Sequence, residues 1–177
     1  TPDALSDFMD LLYVPLNPFD FKTLIEYENH ARDNEYRCLS DDLMRGYQEV
    51  KIGNFLFQNQ IKFEYERGYE VNGKWYKFHS GRVYKPDFYL TDFNIYIEHF
   101  GIDKMGNVKP GIDKNLYNKH INDKRNLHKK NYTNLIETFH HEWKDNKLLS
   151  SLEGKFKEYN ENLTRPYRPE KEIILKP

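Results

Sequence analysis

The sequence predicts an α/β protein of the α+β type, in which helices cover a mixed sheet. Two runs rich in aromatic and branched residues, VYKPDFYL and NIYIEHFG, have the composition of neighbouring strands joined by the turn TDF. A third strand-like run, TNLIETF, follows an amphipathic segment. Strands joined by a tight turn pair antiparallel, whereas a strand reached over a helix returns parallel, so this order predicts a mixed sheet.

The first core element is expected to be a helix that begins near Ser40, a favourable N-cap residue. The segment SDDLMRGYQEVKIGNFLFQNQ carries Leu43, Tyr47, Val50 and Phe57 at helical spacing, so these side chains are expected to face the core. The next run, IKFEYERGYEV, alternates with a period of two and is typical of a strand. NGKWYKFHSGR is expected to form a hairpin or a loop.

Two further helices are predicted in the second half of the chain. NLYNKHINDKRNLHKKN places Leu116, His120 and Leu127 on one stripe, with Tyr117, Ile121 and Lys124 beside it. EWKDNKLLSSLEGKFKEYN predicts a C-terminal helix. The apolar side of that helix consists of Trp143, Leu148, Leu149, Leu152 and Phe156.

Three regions follow from this order of elements. Residues 1–38 are expected to form an N-terminal helical arm or linker, residues 39–162 the compact domain, and residues 163–177 an extended tail. The arm contains two short helical segments, DALSDFMDLL and FKTLIEYENHARDN, separated by VPLNPFD. Little chemistry is visible there, so docking or linking is the simpler interpretation of the arm.

The composition excludes several classes of protein. The formal net charge is −1, so a globally basic nucleic-acid binder is not indicated, and any such binding needs a local patch. The single cysteine, Cys38, excludes an internal disulfide framework and a cysteine zinc cluster. No run approaches the ~20 apolar residues of a membrane span, and no signal peptide is visible. We therefore expect a soluble cytoplasmic protein without membrane contact.

The two predicted strands around TDF each carry one acid, Asp87 and Glu98. Strand side chains alternate between faces, so Asp87 shares a face with Tyr89, and Glu98 shares a face with Tyr96. If the strands are antiparallel neighbours, their register can bring both carboxylates together on one face. Such a pair repels, and a divalent cation removes the penalty. Mg²⁺ prefers one or two carboxylates with waters and phosphate oxygens, which is the equipment of metal-assisted phosphodiester hydrolysis.

These residues carry a family resemblance. KPD, followed on the next strand by EHF, resembles the motif of the PD-(D/E)xK nuclease superfamily. Over roughly residues 36–140 the chain also resembles the nuclease-type domain of bacterial superfamily 1 DNA helicases of the helicase IV type. The resemblance implies a restriction-endonuclease-like core of helix, three strands, helix and strand. It also implies a Mg²⁺- or Mn²⁺-dependent endo- or exodeoxyribonuclease that acts on DNA beside a helicase motor, in the same chain or complex.

The resemblance also implies residue roles. Asp87 and Glu98 would hold the metal, the backbone carbonyl of His99 would be a further ligand, and Glu49 matches a first-helix glutamate that many members add. Structural alternatives remain open, because Asp87 can cap a turn, Glu98 can form a structural salt bridge and Glu49 can be an ordinary helix-surface charge. His140 and His141 are adjacent in a predicted extended segment, where their side chains face opposite ways.

The motif lysine is missing, since Phe100 occupies its position. The superfamily tolerates migration of this lysine to a neighbouring helix, and Lys124 is the best candidate, with Lys85 a weaker one. The His99 side chain is a third candidate for the same catalytic role. Basic residues of the segment from 114 to 130 are expected to bind the DNA backbone without reading sequence. They are Lys114, Lys119, Arg125, Lys129 and Lys130.

Two alternatives to a nuclease remain. The domain can be a catalytically degenerate DNA-binding module that assists a helicase, or a protein-docking domain. Metal binding separates the nuclease from both alternatives, and DNA binding separates the binding module from the docking domain.

Overall fold

The structure is a computed structural model that describes residues 17–159 together with Phe8. Apart from Phe8, the first predicted arm helix lies outside the described residues, as does the predicted tail 163–177. In the described part of the chain, no helix has the length and apolar character needed to cross a membrane.

The described chain begins with a short 3₁₀ helix, Pro18–Asp20, and then alternates between helices and strands. The helices are α1 (Leu24–Asn34), α2 (Tyr47–Gln58), α3 (Lys114–Lys130), α4 (His140–Lys144) and α5 (Leu148–Tyr159). The strands are β1 (Phe63–Tyr65), β2 (Glu70–Val71), β3 (Lys74–Trp75), β4 (Phe88–Leu90), β5 (Ile95–Phe100) and β6 (Asn134–Phe139).

The main sheet has the order β1-β4-β5-β6. β1 pairs antiparallel with β4, β4 pairs antiparallel with β5, and β5 pairs parallel with β6, which is reached over α3. The predicted mixed sheet of an α+β protein is therefore confirmed. β2 and β3 form a separate hairpin, whose turn residues Asn72 and Gly73 both have positive φ. Positive φ at both central positions matches the right-handed twist of a two-residue hairpin.

The two faces of the sheet bury different kinds of side chain. Alternate residues of the central strands, including Phe88, Ile97 and Ile136, point into an apolar core beneath α2 and α5. The opposite face carries Tyr96 and packs against α3 through a smaller cluster that is rich in tyrosine. That cluster consists of Tyr69, Tyr84, Tyr96 and Leu127.

The first core helix begins later than predicted. α2 begins at Tyr47 with Gly46 as its N-cap, whereas the Ser40 hydroxyl donates to Asp42, 2.6 Å away. Residues before the helix form a tight turn, in which Asp41 has positive φ and Leu43 bridges back to Arg37. Leu43 is therefore 53% exposed instead of facing the core, because its segment never becomes helical.

The predicted strand IKFEYERGYEV is interrupted after Tyr65. Glu66 has positive φ, which ends β1 and directs the chain towards the hairpin. The predicted C-terminal helix is also divided, because Asn146 has positive φ between α4 and α5. Its apolar side nevertheless packs as expected, with Leu148, Leu152 and Phe156 buried in the main core.

The helix α3 spans the predicted residues but buries a different face. Leu116 is 51% exposed and His120 is also exposed, whereas Ile121 is 3% exposed and Leu127 is buried. His128 is buried on the same side as Ile121. The orientation of the helix is set by ion pairs with Glu98 and Glu137 on the sheet. The apolar stripe in the sequence does not predict these pairs.

The N-terminal arm is packed against the domain. Tyr36 and Cys38 are buried in the same core as α2, so the expected boundary at residue 38 runs through this core. α1 begins with a capping box, in which Thr23 and Glu26 satisfy backbone N–H groups of the first turn.

Two substitutions on α3 test which face is buried. Ile121→Ala should lower the free energy of unfolding by about 2–5 kcal/mol, because it leaves a cavity at a buried site. The matched control Leu116→Ala should change it by less than about 0.5 kcal/mol, since Leu116 is exposed. Urea denaturation measures both values, and equal losses would contradict the observed orientation of α3.

Candidate active site

The register of β4 and β5 places the two acids on one side of the sheet. Phe88 pairs with Ile97 and Tyr89 pairs with Tyr96, so the same register carries Asp87 opposite Glu98. The backbone N–H of His99 donates to Asp87 Oδ2 over 2.6 Å, which ties the start of β4 to β5 beyond the last strand pair.

Glu98 is a fully buried carboxylate in the centre of the sheet, with 2% of its surface exposed. The Tyr84 hydroxyl donates to Oε1 over 2.7 Å, and the Lys124 ammonium donates to Oε2 over 2.7 Å. A charge at this depth is tolerated only when it is paired and hydrogen-bonded, and Glu98 meets both conditions.

Asp87 is less well compensated. Its Oδ2 accepts the His99 N–H, whereas Oδ1 accepts no hydrogen bond from the described part of the chain. Burial raises the pKa of Asp87 well above 3.8, and the charges of Glu98 and Glu49 raise it further, although Lys124 opposes them. The negative charge at this position therefore lacks a sufficient counter-charge within the described residues.

Glu49 approaches Asp87 from the first turn of α2. Its carboxylate accepts hydrogen bonds from the Tyr65 hydroxyl and from the backbone N–H of Arg45, the latter over 3.1 Å. Burial raises the pKa of Glu49 against the lowering effect of these hydrogen bonds. The first helix thus supplies a third acid beside the pair on the strands.

These acids line a pocket of about 320 Å³ between α1, α2, the ends of β4 and β5, and α3. Lys124, Lys109 and Arg45 line the pocket as well, so acids and bases share it. Its aromatic wall comes partly from the N-terminal arm. That wall consists of Phe19, Tyr27, Tyr36, Tyr47, Phe100 and Tyr117.

Lys124 enters the pocket from α3 and lies near Phe100, the residue at the position of the expected motif lysine. The ammonium lies 5.5 Å from the centre of the Phe100 ring and 5.4 Å from the Tyr84 ring. Burial lowers the pKa of Lys124, but the carboxylates of Glu98 and Asp87 outweigh burial and raise it. Lys124 is therefore a fixed positive charge beside both acids.

The His99 side chain lies on the opposite face of the sheet from Glu98, because successive side chains of a strand alternate between faces. Its Nδ1 is 2.9 Å from the Thr138 hydroxyl and its Nε2 is 2.7 Å from Gln48 Oε1. Burial lowers the pKa of His99 to about 3, with further lowering from His140 and Lys155. Both ring nitrogens have partners, although His99 lines the pocket, so the catalytic role of this side chain stays a prediction. The metal role expected for its backbone carbonyl stays a prediction.

A chain of hydrogen bonds supports Glu98 from behind. Because the Tyr84 hydroxyl donates to Glu98, its oxygen is free to accept from His128 Nε2, 3.0 Å away. His128 Nδ1 then accepts from the Thr133 hydroxyl over 2.8 Å, and the Tyr69 hydroxyl lies 2.8 Å from Thr133. Burial and Lys124 lower the pKa of His128 to about 4, which keeps the imidazole neutral.

Sequence reasoning did not assign roles to Tyr84 or His128. One feature of the sequence indicated that His128 lies near the site: it follows Lys124 by one turn on the same face of a predicted helix. Gln48 was also missed, although it joins His99 to His140 with contacts of 2.7 and 2.9 Å. His140 and His141 begin α4 instead of lying in an extended segment.

The predicted DNA-binding residues divide into two groups. Lys119, Lys129 and Lys130 are exposed on α3, and Lys114 is exposed with its ammonium 2.7 Å from Asn107 Oδ1. Arg125 instead forms a bidentate ion pair with Glu137, with distances of 2.5 and 2.7 Å. The DNA-binding role expected for Arg125 stays a prediction, and its guanidinium is paired with Glu137 in this structure. Lys85, the weaker substitute for the motif lysine, is exposed and does not line the pocket.

The donor set fits a hard divalent cation. Within the described residues, no three His, Cys, Asp or Glu side chains come together as a metal-binding group. Mg²⁺ does not require three, because it uses one or two carboxylates and completes its shell with waters and phosphate oxygens. Asp87 and Glu98 meet that requirement, and Glu49 lines the same pocket.

Comparisons with protein-family models, with curated proteins and with solved structures found no match to this chain. A functional proposal for this pocket therefore depends on its geometry and charge.

The uncompensated acid predicts a pH-dependent stability. The folded protein holds a proton on Asp87 more tightly than the unfolded chain, because its pKa is raised when folded. In EDTA, the melting temperature should therefore fall as pH rises above 3.8 and through the raised pKa. Asp87→Asn should make this fall shallower and raise the melting temperature at neutral pH, by about 2–4 °C for each kcal/mol of repulsion removed.

The matched control is Asp123→Asn, which replaces an exposed acid on α3. It should leave both the melting temperature and its pH dependence unchanged. A lower melting temperature for Asp87→Asn at neutral pH would show that the Asp87 charge stabilises the fold.

Proposed function

We propose that the chain is a metal-dependent DNA nuclease domain that hydrolyses phosphodiester bonds, as a module that works with a helicase motor. The observation that carries this proposal is the meeting of Asp87, Glu98 and Lys124 in one pocket. Two acids on adjacent strands supply cation ligands, and a lysine supplies positive charge from a helix although Phe100 occupies the motif position.

The arrangement of elements supports the same proposal. α2, β1, β4, β5, α3 and β6 follow the order of helix, three strands, helix and strand that the PD-(D/E)xK resemblance implies. The β2–β3 hairpin is an insertion between the first and second of these strands. Asp87 directly precedes the second of these strands and Glu98 lies on the third, which agrees with the resemblance.

Each residue of the pocket has a distinct part in the proposed reaction. Asp87 and Glu98 would hold Mg²⁺ or Mn²⁺, with Glu49 as a further or water-mediated ligand. The bound cation supplies activation of water and neutralisation of charge. Tyr84 orients the Glu98 carboxylate by donating to Oε1. Lys124 places an ammonium where negative charge develops on the phosphoryl group, which lowers the barrier to cleavage.

One observation favours the catalytically degenerate DNA-binding module instead. Lys124 already neutralises Glu98 at 2.7 Å, so the buried acid is compensated without any cation. In that case the pocket is a structural ion pair, and only the exposed lysines of α3 contact DNA. The two functions differ in whether the domain binds a cation and cuts DNA.

Cation binding should be visible as thermal stabilisation. Mg²⁺ or Mn²⁺ at about 100 times its dissociation constant contributes about 2.7 kcal/mol through linkage, or about 5–10 °C for a domain of this size. Asp87→Asn should abolish this gain, and Asp123→Asn should retain it. Scanning calorimetry in EDTA and in each metal measures the shift. A melting temperature indifferent to both metals would favour the binding module.

Cleavage of plasmid and single-stranded DNA with Mg²⁺ or Mn²⁺ tests catalysis. Lys124→Met should lower the saturated rate by ~10²-fold or more, as expected for loss of one preorganised electrostatic group, and should alter DNA affinity little. Lys129→Met should instead weaken binding and its dependence on salt, with little effect on the saturated rate.

Asp87→Asn is the inactive reference for this assay. If Lys124→Met and Lys129→Met act alike, Lys124 belongs to the DNA-binding surface alone. If the unmodified protein binds DNA but cuts neither substrate, the nuclease proposal is wrong and the binding module replaces it.

A further inference from the structure

A second lysine, Lys109, lines the pocket that holds the three acids. It belongs to the loop between β5 and α3, and neither the family motif nor the basic segment of α3 includes it. It is only partly exposed, so it differs from the lysines on the outer face of α3.

Within the described residues, no acid forms an ion pair with Lys109. Its ammonium also forms no hydrogen bond with any residue in the described ranges. Two other bases of the pocket have ion-pair partners, Lys124 with Glu98 and Arg45 with Glu66. In the same loop, Lys104 is paired with Asp145. Burial lowers the pKa of Lys109 to about 8, against the raising effect of Glu28 and Glu49.

The ring of Tyr27 holds the Lys109 ammonium in place. The nitrogen lies 3.6 Å from the ring centre, a cation–π contact with the second turn of α1. The Tyr27 hydroxyl packs closely against Gly46, the N-cap of α2. A Cβ added to Gly46 would lie only 2.7 Å from that hydroxyl. A residue of the arm thus orients a cation of the pocket.

A glycine allows the loop to come this close to the arm. Gly111 has a φ of +85°, and a Cβ added there would lie 3.2 Å from the backbone nitrogen of Leu24. Any larger residue would meet the backbone of α1 and would adopt a strained conformation. The loop therefore contacts the start of α1 at Gly111, which is two residues after Lys109.

We propose that Lys109 binds a phosphate oxygen of a nucleic-acid backbone in this pocket, and that Tyr27 positions it. The identity of the ligand as a nucleic acid rests on the proposed function. Lys124 and one divalent cation together balance the charges of Asp87, Glu98 and Glu49. The positive charge of Lys109 then exceeds what these acids require. It can be balanced by the single negative charge of one phosphodiester.

The geometry favours a phosphate over other anions. A cation held by Asp87 and Glu98 would complete its shell with waters and phosphate oxygens, and Lys109 lines the same pocket. An ammonium without a protein partner can turn to such a ligand without breaking an existing ion pair. Lys124 is instead paired with Glu98, which keeps its ammonium beside the acids.

Binding of a labelled short single-stranded oligonucleotide tests the proposal, with Ca²⁺ in place of Mg²⁺ so that cleavage does not intervene. Lys109→Met should weaken binding ~10-fold or more, as expected for one charge-assisted hydrogen bond, and should lower the salt slope by about 0.7. Lys109→Arg keeps the charge and should retain most of the affinity. The matched control Lys104→Met removes a loop lysine that does not line the pocket and should bind as the unmodified protein does.

Tyr27 tests the positioning role separately. Tyr27→Phe keeps the ring and should preserve affinity, whereas Tyr27→Leu removes the ring and should weaken binding less than Lys109→Met does. Acetylation followed by mass spectrometry needs no variant and covers the case in which Lys109→Met does not fold. DNA should protect Lys109 from acetylation and leave Lys104 reactive.

Unchanged binding by a folded Lys109→Met variant, or unprotected Lys109 in the DNA complex, would overturn the proposal. If the protein binds DNA through Lys109 but cuts no substrate, this inference stands and the nuclease function fails. If the unmodified protein binds no DNA in either assay, both are wrong.

Discussion

The burial of one carboxylate, Glu98, constrains the structure around it. The acid lies in the middle of β5, where two neighbouring strands and α3 exclude water from it. An ionised group at such a depth costs several kcal/mol unless other groups compensate it. Lys124 supplies the charge, Tyr84 supplies a hydrogen bond, and His128 holds Tyr84. The orientation of α3 and the contents of the tyrosine cluster follow from this requirement.

The need to pair acids on the sheet also explains the orientation of α3, which is a largely polar helix. Glu98 lies beside Glu137 in the parallel pairing of β5 and β6, so two like charges meet on one face of the sheet. Two consecutive residues of α3 resolve this conflict, with Lys124 on the first acid and Arg125 on the second. A rotation of α3 by one residue would leave a buried acid unpaired. Ion pairs therefore specify the packing of a helix that buries few apolar side chains.

Local patterns in the sequence predicted the sheet and its two acids, because strand parity and a short turn act over a few residues. The approach of Lys124 to the two acids was also predictable, since helical spacing places it beside Tyr117 and Ile121. The start of α2 and the buried face of α3 were not predictable, because distant partners decide them. Lys109 was missed for the same reason: its place depends on Tyr27, which lies far from it in the sequence.

The close contact of Gly111 with Leu24 has a practical consequence for work on fragments. A domain cut at residue 39 looks reasonable from the sequence, but it would discard Tyr36 from the core and Phe19 and Tyr27 from the pocket wall. Such a fragment would expose the apolar surface that these residues cover, and it would leave the loop at Gly111 without its support. Poor solubility or inactivity of that fragment would then report on the missing wall and not on the chemistry of the acids.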